Sequence, residues 1–364
     1  MTLTVPPPLA APLTRESLRS GRLGAWVPWA ILAGALGAML LVFLLMAGAS
    51  GSDFNYGGWL VTAAVLYLAV VYTVSAIVEG RRKATDRFVT GLVTVAFLVA
   101  MIPLISVGWT VVANGVARFD PLFFSSSMRN VVGEGGGALH AIIGTLLVTL
   151  AAAIISIPIG LMTAIYLVEY GAGKRIARGI TFLVDVMTGI PSIVAGLFAY
   201  ALFAIFFGPG IRLGIMGSVA LAVLMIPVVV RSSEEMLRLV PNELREAAYA
   251  LGVPKWLTIT KVVLPTAIAG ITTGIMLSIS RVIGETAPLL ITAGFTDSVN
   301  YNLFDGRMQT LPVFTYTQYA NQGIPPEAYW DRAWAAALTL IIIVMLLNLI
   351  ARLVAKVFAP KTGR

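Results

Sequence analysis

Eight long apolar runs, separated by short polar stretches, set the pattern of this chain. They cover residues 26–49, 59–78, 88–112, 141–167, 180–207, 214–230, 266–294 and 333–351. Each reaches at least the roughly 17 residues a helix needs to cross a bilayer, and each is too long for a membrane strand. Within the bilayer, continuous spans of this kind must be helical, because the backbone has no water to bond to. The pattern therefore predicts an all-α polytopic membrane protein with about eight transmembrane helices. Pro158, Pro191 and Pro288 fall inside runs and predict kinks.

Residues 1–23 lack such periodicity and read as a cytoplasmic tail, with Pro6, Pro7 and Pro8 followed by three arginines. Ala47-Gly48-Ala49 mimics a signal-peptidase site, but its apolar run exceeds the usual 7–15 residues, so the run is expected to be retained as a helix. Lysine and arginine then fix the orientation. Nineteen of the 25 fall in the termini and in alternate loops, five in the remaining loops, and only Arg281 inside a run. The positive-inside rule places both termini in the cytoplasm, which an even number of spans requires.

Composition agrees. Apolar residues make up 58% and charged residues 12%, about half the charge of a soluble domain, which excludes a soluble enzyme and a disordered chain. The net charge of +8 follows from the basic inner loops rather than from a nucleic-acid surface. There is no cysteine and a single histidine, His140, so thiol catalysis, disulfides and a His-rich metal site are excluded within this chain. An intramembrane enzyme has few groups left to work with.

The loop at 231–265 differs in kind from the others. In Asn242–Leu251, the residues Leu244, Ala247, Ala248 and Leu251 form one apolar helical stripe. Gly252 stands where a helix takes a left-handed residue, and Pro254 suits the first turn of a second helix. The loop thus predicts helix–Gly–helix on the cytoplasmic face, where an interfacial helix touching only lipid is the alternative.

Spacing in that loop carries a resemblance. Glu246-Ala247-Ala248, three residues, Gly252, nine residues, Val262, one residue, Leu264-Pro265 resembles the EAA loop of type I ABC importer permeases, with Val262 for the usual Ile. Three further segments are similar to the PstA-type permeases of phosphate importers: Gly284–Leu290, Arg245–Gly252 and Ile190–Gly196. The resemblance covers about residues 84–357. It implies a two-helix extension at 24–83, a first core helix with its outer loop at 84–138, a permease domain at 139–357 and a short cytoplasmic tail at 358–364. It also implies a function: a permease subunit of an ATP-driven importer carrying inorganic phosphate across the bacterial cytoplasmic membrane. Implied partners are a second, PstC-like permease, a PstB-like ATPase dimer and an external PstS-like phosphate-binding protein. No cofactor is expected on this chain. ATP and Mg belong to the partner ATPase, since no Gly-rich phosphate loop is present here.

The resemblance and the charges together nominate site residues. Glu246, Ala247, Ala248, Gly252, Leu264 and Pro265 are expected to couple to the ATPase. Gly270, Gly274, Ser278, Arg281 and Glu285 follow at steps of four, four, three and four, predicting one helix face. A charged residue at bilayer depth costs about 2.5–3.5 kcal/mol on insertion scales and so faces protein or a water-filled path. Arg281 is the expected phosphate contact, with Glu285 competing for its guanidinium to keep the contact transient; a structural Arg–Glu bridge is the alternative. Arg231 could guard an inner exit or simply anchor the inner face. Asp185 is expected near the start of its helix, favoured by the helix dipole. His140, at the outer entrance of its run, is expected in a surface or capping role rather than as a proton relay. Two rival functions remain open on the residues: a permease for another oxyanion such as sulfate or molybdate, and an ion-gradient-driven secondary transporter.

Overall fold

In a computed structural model of the chain, the described residues are 23–51 and 53–358; the predicted arginines of the amino-terminal tail and the final residues 359–364 lie outside them. The described residues form helices and no strands. These are α1 (Val27–Ser50), α2 (Tyr56–Val78), α3 (Arg81–Gly115), α4 (Pro121–Ser125), α5 (Leu139–Ile165), α6 (Arg175–Thr188), α7 (Ser192–Phe207), α8 (Gly214–Arg238), α9 (Asn242–Ala250), α10 (Lys255–Thr258), α11 (Leu264–Val282), α12 (Ala287–Thr292), α13 (Leu311–Ala320) and α14 (Pro326–Phe358). Seven helical rods among them are long and apolar enough to span a membrane, and an eighth results if α6 and α7 count as one bent span.

The chain divides into two compact units, the first ending at Gly108 and the second beginning at Trp109, so α3 contributes to both. In the first unit, α1 packs on α2 and the Trp59 indole donates to the Leu36 carbonyl at 3.0 Å. Gly91 of α3 lies against Leu68 of α2, and Phe88 meets Tyr72 edge-on. Glu79, just past α2, accepts from Arg87 at 2.6 Å, from Ser75 at 2.9 Å and from the Leu23 amide at 2.9 Å. The Arg87 contact leads in holding its carboxyl down at about 2, against an ordinary 4.5.

The second unit is built around α8, the most buried of the spanning helices. Small residues bring its neighbours close, as membrane helices require. Gly160 of α5 sits against Val229, while Gly270 and Gly274 of α11 sit against Met236 and Ser232. Val148, Ala152, Leu221, Met225, Val282 and Leu289 form the centre of the resulting core.

Two apolar runs are broken, and both breaks matter. The run at 180–207 was expected as one helix. Instead α6 and α7 meet at 110°, with Gly189, Ile190 and Pro191 between them; proline lacks an amide proton and disfavours the helical conformation in the residue before it. The run at 266–294 ends as a helix at Val282 and restarts at Ala287, with Pro288 in the first turn of α12 rather than at a kink. Pro158, by contrast, sits within an unbroken α5.

The two long connections, residues 116–138 and 293–325, are packed against the helices. Phe123, Met128 and Ala138 from the first pack with Leu311 and Phe314 of α13 and with Ala335 and Ala336 of α14. Arg332 is fully buried and donates to the carbonyls of Gly133 (2.7 Å) and Gly135 (3.0 Å) and to Gln318 (2.9 Å). His140 is buried too, edge-on to Phe314, not at the surface as expected.

Candidate functional site: the cytoplasmic elbow and the Arg281 rod

The predicted helix–Gly–helix is present as α9, a turn at Gly252 and α10. Gly252 has φ +75°, the left-handed region that a residue with a Cβ enters at a cost. Its amide donates to the Tyr249 carbonyl at 2.9 Å, and the Val253 amide donates to that of Ala248 at 3.1 Å, closing the helix end. Pro254 follows in extended conformation and opens α10.

α10 is not a separate element. It runs through a wide turn at Ile259–Val263 into α11, giving one rod over Lys255–Val282, with Leu264 and Pro265 at the start of α11. At 1.5 Å per residue the rod is about 40 Å long, enough to cross the hydrocarbon from the elbow to the other side.

Of the elbow's apolar stripe, only Ala248 is buried within the chain. Leu244, Ala247 and Leu251 are exposed, Leu251 by 84%, and so are Tyr249, Trp256 and Glu246. The elbow is held from behind. Arg245 donates to the buried Glu169 carboxylate at 2.8 Å and to the carbonyls of Leu237 (2.9 Å) and Val240 (2.6 Å). Lys255 donates to the Glu169 carbonyl and lies 4.8 Å from the centre of the Tyr170 ring. Glu169 was not singled out from the sequence; its only signal was an acid near the end of an apolar run.

Arg281 stands in the last turn of α11, where the negative end of the helix dipole favours a cation. It does not share the packed face predicted for it. Gly274 and Ser278 are buried against neighbours, whereas Arg281 lies on an exposed stripe with Thr273, Leu277 and Gly284. Because α11 ends at Val282, Glu285 lies in the turn beyond it, its amide bonded to the Val282 carbonyl at 3.1 Å. Among the described residues no ion pair joins Arg281 to Glu285, and Arg281 has no side-chain hydrogen-bond partner. The break after Val282 takes Glu285 off the expected face, while Arg281 stays within α11 with Gly270, Gly274 and Ser278 and is left uncovered.

Arg231 and Asp185 form an ion pair. Arg231 also reaches Glu234 at 2.8 Å, and Arg238 reaches the same carboxylate at 2.6 Å. α8 continues two turns beyond the expected end at Val230, which brings these groups together. Asp185 sits near the end of α6, not its beginning, so its partner is Arg231 rather than a helix N-terminus.

The described residues thus present a long rod over Lys255–Val282 with an exposed elbow at one end and an uncovered arginine near the other. The family model described as "binding-protein-dependent transport system inner membrane component" matches residues 156–364, and the chain belongs to that family. Within it the chain groups with the PstA permeases. It is 48% identical over 279 residues to phosphate transport system permease protein PstA 1 of Mycobacterium tuberculosis H37Rv, covering 75% of this chain and 88% of that one. It is 39% identical over 278 residues to PstA of Pasteurella multocida, covering 75% and 95%. Its fold is similar to a chain of the inward-facing MetNI methionine ABC transporter, at 22% identity and a TM-score of 0.50, over 61% of this chain and 95% of that one. The chain is thus a multi-pass permease component, not an enzyme.

Proposed function

We propose that this chain is the PstA-type permease subunit of an ATP-driven phosphate importer in the cytoplasmic membrane. It pairs there with a PstC-like permease over a PstB-like ATPase dimer and receives phosphate from an external PstS-like binding protein. ATP and Mg are used by the ATPase. Both termini and the elbow face the cytoplasm.

One observation carries the mechanism: the rod over Lys255–Val282 has the exposed elbow at one end and Arg281 at the other. The exposed Leu251, Tyr249 and Trp256 offer an apolar surface to the ATPase. Movement imposed there passes along a stiff helix to Arg281, because Arg245 and Glu169 keep the elbow from swinging independently. Arg281 lies on the open face of α11, where the second permease would complete a path, and its planar fork suits phosphate oxygens. Glu285, one turn of chain beyond, competes for the guanidinium when the segment rearranges and so limits how tightly phosphate is held.

The test is uptake of labelled phosphate by proteoliposomes containing the two permeases and the ATPase, with external binding protein. ATP-dependent uptake not displaced by excess sulfate or molybdate is expected. Uptake of those anions in preference to phosphate, or uptake without the ATPase, would overturn the reading.

A further inference from the structure

Two arginines at the opposite end of the permease unit from the elbow are unused by this mechanism. Arg212 lies in the link between α7 and α8, and Arg307 lies between α12 and α13. Backbone bonds set them side by side: the Leu213 amide donates to the Thr292 carbonyl at 3.2 Å, and the Met308 amide donates to that of Ala293 at 3.1 Å. Both stems converge on Gly294. A Cβ there would lie 2.9 Å from Arg212 Cδ and 3.6 Å from Arg307 Cδ, and Gly294 itself has φ +73°. The glycine therefore permits the two cations to approach.

Both arginines line one cavity of about 780 Å³, together with Tyr200, Leu290 and Phe295. Among the described residues neither side chain has an ion-pair or hydrogen-bond partner. Arg307 lies 5.9 Å from the centre of the Phe295 ring. The Tyr200 hydroxyl accepts from the Gly210 amide at 2.9 Å, which leaves its proton free to donate. Two uncompensated guanidiniums held together at a partly apolar cavity repel each other unless an anion sits between them. Planar forks with a hydroxyl donor beside them match a tetrahedral oxyanion.

We propose that Arg212 and Arg307 form an outer anion-receiving site, where inorganic phosphate released by the binding protein is held before it reaches Arg281. The site rests on the anion-import reading above. It lies at the far end of α12 from Glu285, so the two stations are joined by one short helix. Arg212 is half-buried and Arg307 exposed at the cavity, so an anion site and a docking contact for the binding protein are told apart by whether the dependence on binding protein changes.

Two measurements test it. In the reconstituted complex at saturating binding protein, the double variant R212Q/R307Q should lose at least 10-fold in phosphate uptake. The binding-protein concentration that half-stimulates ATP hydrolysis should stay unchanged, and R212K/R307K, which keeps the charge but not the planar forks, should restore only part of the uptake. Unchanged uptake, or a loss accompanied by a raised half-stimulating concentration, would overturn the site; the second result would make it a docking contact. Independently of any variant, inorganic phosphate should protect Arg307 of the wild-type complex from an arginine-specific dicarbonyl reagent, read by mass spectrometry. No protection refutes the site, whereas protection without ATP-driven phosphate uptake counts against the import reading alone.

Discussion

At the scale of single residues, the account turns on where charges sit and what they lack. Glu79 is the best-satisfied acid, with three donors around a side chain that is 2% exposed. Its carboxyl is held below its ordinary value, so its contribution is present above about pH 4.5 and is lost as pH falls toward 2. The purified protein should therefore melt at a steady temperature from pH 7 to 5 and progressively lower below pH 4. E79Q should remove that part of the acid sensitivity, at a cost of at most about 3 kcal/mol at neutral pH. An unchanged melting profile in E79Q would show the cluster to be inert. At the elbow the buried acid is Glu169, held by Arg245. R245A leaves its carboxylate buried without its cation, a change that typically costs about 3–5 kcal/mol. The complex should then keep its subunits but lose most coupling between ATP hydrolysis and uptake. R245K should recover only part of it, because one ammonium cannot reach the Glu169 carboxylate and the two carbonyls in the same planar fashion.

Elements explain why some of this was legible in advance. The elbow could be read from Glu246, Gly252 and Pro254, because a turn with a left-handed residue and a proline-led restart leaves fixed marks in a sequence. Eight apolar runs gave the all-helical membrane fold for the same reason: hydrocarbon thickness dictates length. What hydropathy could not show was where a run stops being one helix. The segments 180–207 and 266–294 are mostly apolar, with Asp185, Arg281 and Glu285 the charged exceptions, yet Pro191 and the Ile283–Thr286 turn break them. An apolar loop and an apolar helix look alike to a hydrophobicity count. The shared face of Arg281 and Glu285 was lost in that break, and so was the helix-start explanation for Asp185. Pairs far apart in sequence, such as Arg245 with Glu169 and Arg231 with Asp185, left no local trace. At this scale the sharpest variant is Gly252→Val. A β-branched residue at φ +75° is strained, so α9 should be re-aimed while α11 remains intact. Phosphate uptake should fall at least 10-fold with ATP hydrolysis no longer stimulated by the binding protein. Normal stimulation would mean that the turn does not set the coupling geometry.

For the whole molecule, the natural absence of cysteine offers a direct check of topology. Single cysteines at Leu251, 84% exposed on the elbow, and at Val132, 91% exposed in the first long loop, can be introduced without removing any native thiol. A membrane-impermeant maleimide applied to intact cells should label V132C and spare L251C until the membrane is opened. The reverse pattern would invert the molecule and separate the elbow from any cytoplasmic ATPase. The first unit, ending at Gly108, stands outside the region that the family model matches, residues 156–364.

The central claim is that a stiff rod links nucleotide-driven motion to an arginine that handles the anion. Arg281→Gln in the fully assembled complex tests it most directly, with phosphate uptake and ATP hydrolysis measured in the same proteoliposomes. The expected result is a fall in uptake of at least 10-fold while binding-protein-stimulated hydrolysis persists, since the elbow at the other end of the rod is untouched. Uptake at close to the wild-type rate would contradict the claim.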